Sequence, residues 1–303
     1  MNLLFDIVYG VSGPIMVMIA LGWAAQAWLK LDLPSLGRLH MNVNLPCFII
    51  FHLATTDAPL SSLGDITWFT IAQFFVLFAI GWVAARGMSA EKRHLAVIAI
   101  AVAFPNTGNY GIPLIELAFG PAWIAPQAVI MTLHTILIMS FGVLAITAGS
   151  GNWWASLKSS MSSPLLPAIA IGLVLNATGY QLPVPLEVPL KMIAGAFAPV
   201  ALLLLGASLA VADRKEARRI AIPVTAMKLL LAPLLTWAAC LALGFDAETT
   251  AFLTVNACGP VGVVLVIVCA QHENGRNVAA MTVFTTTLLA PFAATAALYL
   301  LRL

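Results

Sequence analysis

Phe104-Pro105-Asn106-Thr107-Gly108-Asn109-Tyr110-Gly111-Ile112-Pro113 interrupts a hydrophobic run, Leu95 to Phe119, that is long enough to cross a bilayer. Pro105 lacks a backbone donor and clashes with the preceding turn, and Gly108 and Gly111 loosen the chain just beyond it. Pro113 falls near the first turn of the next piece, where proline is tolerated. The spacing predicts helix from about Arg93 to Phe104, an unwound crossing near the membrane midplane, and helix again from about Tyr110 to Phe119. Freed N–H and C=O groups at that depth are costly unless protein, ligand or water satisfies them. Asn106, Thr107 and Asn109 put hydrogen-bonding side chains at the same place, either to patch a kinked structural helix or to bind a ligand. A second interruption, Asn256-Ala257-Cys258-Gly259-Pro260-Val261-Gly262, favours the ligand, because paired breaks in corresponding segments point to a transporter binding site.

Composition agrees with a membrane protein. Hydrophobic residues make up 61% and charged residues only 9%, against about 25% charged in a soluble domain. The chain supplies about ten apolar segments of roughly bilayer length. The first carries Asp6 and has no basic n-region or small-residue cleavage site, so it reads as a mature helix rather than a signal peptide. Cys47, Cys240, Cys258 and Cys269 lie in apolar segments without CxxC spacing and read as buried thiols, not disulfides or a metal site. No basic surface suggests nucleic acid, and no metal or cofactor is expected.

In order, the segments are Leu4–Trp28, Leu36–Thr55, Ile66–Ala85, the broken fourth, Trp123–Ala148, Pro164–Tyr180, Pro185–Ala210, Arg219–Leu243, the broken ninth from Thr249 to Gln271, and Asn277–Leu301. Of the 14 Lys and Arg, eleven fall in the odd-to-even loops, only Lys191 and Arg302 fall on the other side, and Lys228 is inside a segment. By the positive-inside rule the odd-to-even loops, including Asp213–Arg219, are cytoplasmic and both termini are periplasmic.

A shift of about 155 residues places Pro105 on Pro260 and the fourth segment on the ninth. Five helices is an odd number, so the halves enter the membrane from opposite sides. The expected fold is an all-α polytopic protein of ten transmembrane helices, built as a five-plus-five inverted repeat with two broken crossover helices. Residues 1–148 form the first repeat, 149–163 a cytoplasmic linker and 164–303 the second repeat. The half-helix N-termini near Tyr110 and Gly262 point inward and suit an anion, while carbonyls of the first halves could hold a cation.

Phe104 to Leu114 resembles the fourth-helix motif of the auxin efflux carrier family, which includes the plant PIN-formed carriers and bacterial organic-anion carriers. Pro46-Cys47-Phe48-Ile49-Ile50-Phe51-His52-Leu53-Ala54-Thr55-Thr56-Asp57 resembles its second helix and turn, and Gly259-Pro260-Val261-Gly262 its ninth-helix crossover. The similarity spans nearly the whole chain, without the plant members' long cytoplasmic loop. It implies a fold like those of sodium–proton antiporters and bile-acid symporters, with scaffold and transport domains each drawn from both repeats and an elevator-type movement. Carried over, Asn106 is the amide that binds the substrate carboxylate, His134 falls where plant members have a pocket glutamine, and Asp65 falls on the acid of their supporting site. Three positions depart from the pattern. Phe69 stands in place of the lysine paired with that acid, Ser163-Pro164-Leu165 in place of Asn-Pro-Asn, and Val261 in place of the glutamine after the ninth-helix proline.

The candidate substrate-binding residues are Asn106, Thr107, Asn109, His134, Asn256 and Lys228, with Pro105, Pro260 and Gly259 shaping the crossover and Asp65 as a supporting site. Each has a structural alternative: capping of a break for the amides, a core hydrogen bond for His134, snorkelling for Lys228 and surface solvation for Asp65. A lysine at mid-depth costs roughly 2.5–3.5 kcal/mol on translocon scales, so it should pair or face water. The expected function is secondary transport of a small mono- or dicarboxylate (malonate or malate, or an auxin-like acid) across a bacterial inner membrane. The alternative is a sodium-coupled symporter of a larger amphipathic anion. Partners are the substrate, the bilayer, a second copy of the chain, and a coupling ion left open between sodium and proton. An enzyme is disfavoured, with no HExxH, paired aspartates or Gly-rich phosphate loop in the sequence.

Overall fold

The computed structural model describes residues 5, 7–55, 60–88, 90–147, 164–210, 218–271 and 275–301. Among them the chain is helical apart from turns, two short extended stretches and their single bridge. The expected linker 149–163, and the charged loop as far as residue 217, lie outside the described residues.

In chain order the helices are α1 (Val8–Leu29), α2 (residues 33–54), α3 (Leu60–Gly87), α4 (Lys92–Ala103), α5 (Gly111–Phe119) and α6 (Pro121–Ile146). They continue with α7 (Leu165–Thr178), α8 (Val184–Gly195), α9 (Phe197–Ala210), α10 (Arg219–Leu243), α11 (Ala247–Ala257), α12 (Val264–Gln271) and α13 (Arg276–Leu300). Among the described residues six apolar runs are long enough to cross a membrane: α1, Leu63–Gly87, α6, Val184–Ala207, α10 and α13. The seventh segment is bent, with a turn at Ala196 between α8 and α9. At about 1.5 Å per residue, α4 and α5 are each too short to span about 30 Å alone.

Local chemistry sets the ends. Asp32 caps α2, its carboxylate accepting from the Ser35 N–H, with Pro34 in the first turn. Gly244 ends α10 at φ 76°, a left-handed turn that glycine adopts without a Cβ penalty. Asp246 then caps α11 by accepting from the Thr249 N–H at 2.9 Å. The Thr249 hydroxyl, and after it this N–H, hold the Asp246 carboxyl below the usual range.

α4 and the first half of the ninth segment are buried on every side, from Leu95 to Thr107 and from Thr250 to Gly262. A helix apolar all round belongs in the interior, and the remaining helices surround this pair. α4 packs on α3, α12 and α13, and α11 on α10, α5 and α13. α3 also packs on α6, α10 on α13, α5 on α6 and α12 on α13. On another flank α1 lies against α9 and α2 against α7 and α8. The α1–α9 approach is close because a Cβ at Gly22 would strike the Leu203 carbonyl and one at Gly206 the Ile19 carbonyl. Small residues let membrane helices meet at this range.

Candidate functional site

α4 ends because Phe104 turns extended, at φ −108° and ψ 96°, ahead of a proline that cannot continue the ladder. The extended piece runs antiparallel to its counterpart in the ninth segment, and Pro105 bridges Val261. The Asn106 N–H donates to the Pro260 carbonyl at 2.6 Å, and the Gly262 N–H donates to the Phe104 carbonyl at 3.2 Å. These two bonds exchange when 104 is matched with 260 and 106 with 262. Within this local pair Pro105 therefore stands opposite Val261, the residue after Pro260. Side-chain contacts tighten the crossing: Gly259 sits over Pro105, and a Cβ at Gly262 would strike the Phe104 ring.

Several further backbone groups at the breaks find protein partners. Val261 N–H donates to Thr286 Oγ1 of α13 at 3.0 Å, Thr107 N–H to the Pro105 carbonyl at 2.9 Å, and Gly111 N–H to the Asn106 carbonyl at 2.8 Å. Gln127 Nε2 of α6 donates to the Thr107 carbonyl at 2.7 Å. None of these bonds uses the side-chain amides of Asn106 or Asn109.

That leaves polar atoms buried without a protein partner: Asn106 Nδ2, Tyr110 OH, Asn256 Oδ1, His134 Nδ1 and Lys228 Nζ. All five residues are at least nine-tenths buried, Lys228 completely. A buried unpaired polar group costs about 1–3 kcal/mol, more when charged. Lys228 lies within electrostatic range of both Cys258, in the second break, and His134. It sits in a wide π-type turn, Met227–Leu231, a helical irregularity frequent at functional sites. The His134 ring stands edge-on to Phe104, centroids 5.8 Å apart. Asn256 donates to Gln127 Oε1.

The structure therefore gathers Asn106, Thr107, His134, Asn256 and Lys228 around the crossing made by Pro105, Gly259 and Pro260. Asn109 is half-buried and faces α2, beside His40, whose ring stacks on Phe197 at 4.6 Å. Asp65 stands apart: it is exposed near the start of α3 and accepts from Trp68 Nε1 at 3.3 Å. Phe69, at the position of the missing lysine, packs against Phe245. Sequence reasoning missed Gln127, Tyr110 and Thr286. Gln127 was detectable as a polar residue seven positions before His134, hence on the same face of α6.

No acidic residue lies between Phe104 and Tyr110 or between Asn256 and Gly262. Among the unpaired atoms Lys228 Nζ and Asn106 Nδ2 are donors, Tyr110 OH can donate or accept and Asn256 Oδ1 accepts. With two half-helices beginning beside them, the donors and the lysine favour a bound anion over a cation.

The sequence profile of the family described as membrane transport protein matches residues 12–153 and 152–298. A protein named "Uncharacterized transporter" from Methanothermobacter thermautotrophicus is 22% identical over 283 residues, covering 91% of this chain and 92% of its own length. One named "Putative malonate transporter" from Rhizobium meliloti is 26% identical over 292 residues, covering 93% and 88%. With six apolar helices of spanning length and a family match over nearly its whole length, this multi-pass membrane protein belongs to the membrane transport protein family, that of the auxin efflux carriers.

Proposed function

We propose that the chain is a secondary carrier of a small mono- or dicarboxylate, binding the substrate carboxylate where the broken helices cross. The observation that carries this reading is the crossing itself. Two backbone bonds tie the breaks together, while Asn106, Tyr110, His134 and Lys228 keep buried polar atoms unpaired. Lys228 and Asn106 supply charge and donors to the carboxylate, Asn256 and Thr107 border it, and Asn109 and His134 close the sides. The relative named for malonate transport agrees with a small dicarboxylate.

The carrier has ten membrane segments in a five-plus-five inverted repeat. Packing supports this, because matching each of the first five segments with the segment five later exchanges neighbours. α1–α9 becomes α7–α2, α3–α6 becomes α10–α13, α3–α4 becomes α10–α11, α5–α6 becomes α12–α13, and α4–α12 becomes α11–α5. Helices α1, α2, α7, α8 and α9 form the scaffold, and the rest move as an elevator that carries the crossing across the bilayer. The chain sits in a bacterial inner membrane as a dimer with both termini periplasmic, and Asp65 steadies the outer entrance.

A second reading, sodium-coupled transport of a larger amphipathic anion, is favoured by one feature. A groove of ≈ 720 Å³ lined by Leu229, Pro233, Trp237, Thr254, Cys258 and Ala297 reaches the second break. Uptake into proteoliposomes of malonate, a monocarboxylate and a bile-acid-like anion, with sodium, proton and potential gradients varied separately, distinguishes the two. Saturable uptake of malonate is expected. Uptake of the amphipathic anion alone would replace the first reading by the second, and uptake of none would reject both.

A further inference from the structure

Gln127 joins three elements that are distant in sequence. Its Nε2 donates to the Thr107 carbonyl at 2.7 Å, and its Oε1 accepts from Asn256 Nδ2. It is completely buried, and the bare Cα of Gly111 makes room for it: a Cβ there would lie 2.6 Å from Gln127 Nε2. This chain of bonds has a direction. A backbone carbonyl can only accept, so the Gln127 nitrogen must face Thr107 and its oxygen must face Asn256. Asn256 must then offer its own nitrogen, which leaves Oδ1, buried and without a protein partner, as the atom it can present to a ligand. Asn106 differs, because its side-chain amide has no protein hydrogen bond to fix which end faces the crossing.

An ionised carboxylate offers acceptors only, and against Asn256 Oδ1 it would leave two oxygens facing each other. The atom that meets Oδ1 has to bring a hydrogen. We propose that Gln127 fixes the polarity of Asn256, and that the site thereby selects carboxylates carrying an O–H donor, either a hydroxyl or a protonated second carboxyl. The inference rests on the small-carboxylate reading above. Gln127 acts as a positioning residue, through Asn256 rather than on the substrate.

The test compares malonate with its monomethyl ester at about pH 5, where both are monoanions but only malonate retains an O–H. Binding is measured by competition against labelled malonate on the purified full-length carrier. Wild type should bind the ester roughly tenfold or more weakly, because it leaves a buried acceptor unpaired. In Gln127→Leu nothing holds the Asn256 amide, so it can turn its nitrogen to the ligand and the ratio should fall toward one. In Gln127→Glu the buried carboxyl is protonated, keeps one donor and one acceptor, and should retain the ratio. A merely structural role for Gln127 would lower affinity for both ligands alike and leave the ratio unchanged in every variant. Equal binding of acid and ester by wild type would overturn the inference while leaving the carboxylate reading intact. A preserved ratio in Gln127→Leu would overturn it as well. If that variant does not fold, loss of the ratio in Gln127→Glu does the same. Binding of neither ligand would reject the carboxylate reading, and this inference with it.

Discussion

The backbone N–H of Asn106 donates to the Pro260 carbonyl across 2.6 Å, so the two broken helices form one hydrogen-bonded unit rather than two adjacent kinks. Pro105 has no N–H to give, and Val261, opposite it in the bridge, sends its own N–H out of the pair to Thr286. The crossing therefore depends on a third helix, α13, at one identifiable atom.

Replacing Thr286 by valine keeps the volume and removes that atom. The Val261 N–H would then be buried and unpaired, at a cost of about 1–3 kcal/mol. Thr286→Val should lower the melting temperature in detergent by several degrees. An unchanged Tm would mean that the crossing does not need this bond.

The Asn106 side chain is the opposite case, since its amide bonds to no protein group and the break does not need it for closure. Asn106→Ala should leave Tm within about a degree and weaken carboxylate binding roughly tenfold to over a hundredfold, the loss of one hydrogen bond to a charged group. Saturation binding on purified protein decides this, and wild-type affinity would remove Asn106 from the site.

Much of this arrangement was legible in the sequence because proline and glycine act locally. Helix expected over Arg93–Phe104 and Tyr110–Phe119 is found at Lys92–Ala103 and Gly111–Phe119. The register of the crossing was not legible. Pro105 and Pro260 are the conspicuous landmarks, whereas the hydrogen-bond register follows the N–H groups of Asn106 and Gly262 and sets Pro105 opposite Val261. Gln127 was missed for a related reason: its partners lie 20 and 129 positions away, and a lone amide in an apolar helix shows nothing of what it will meet.

Outside the membrane, Asp246 caps α11 and the Thr249 hydrogen bond lowers its pKa. A depressed carboxyl pKa stabilises the fold above the unfolded value, and that contribution is lost as pH falls through the folded value. Asp246→Ala should cost about 0.5–2 kcal/mol near pH 7, as for other N-caps. The Tm difference from wild type should shrink as the pH is lowered into the carboxylate range. A difference that grew on acidification would contradict the capping role.

The basic residues Lys30, Arg38, Arg86, Arg219 and Arg276 all lie on the side proposed as cytoplasmic. A C-terminal reporter active only in the cytoplasm should stay dark, and one active only in the periplasm should give signal. The reverse pattern would mean either that the whole topology is inverted or that the number of crossings is odd.

The central claim is that the crossing binds an anion, with Lys228 supplying charge from α10. The most direct measurement is binding of malonate and of neutral malonamide, at about pH 5 where malonate is a monoanion that keeps an O–H, to wild type and to Lys228→Met. Wild type should prefer malonate by at least about tenfold, the scale of one charge-assisted hydrogen bond, and Lys228→Met should lose most of that preference. Equal affinity of wild type for malonate and malonamide would contradict the account.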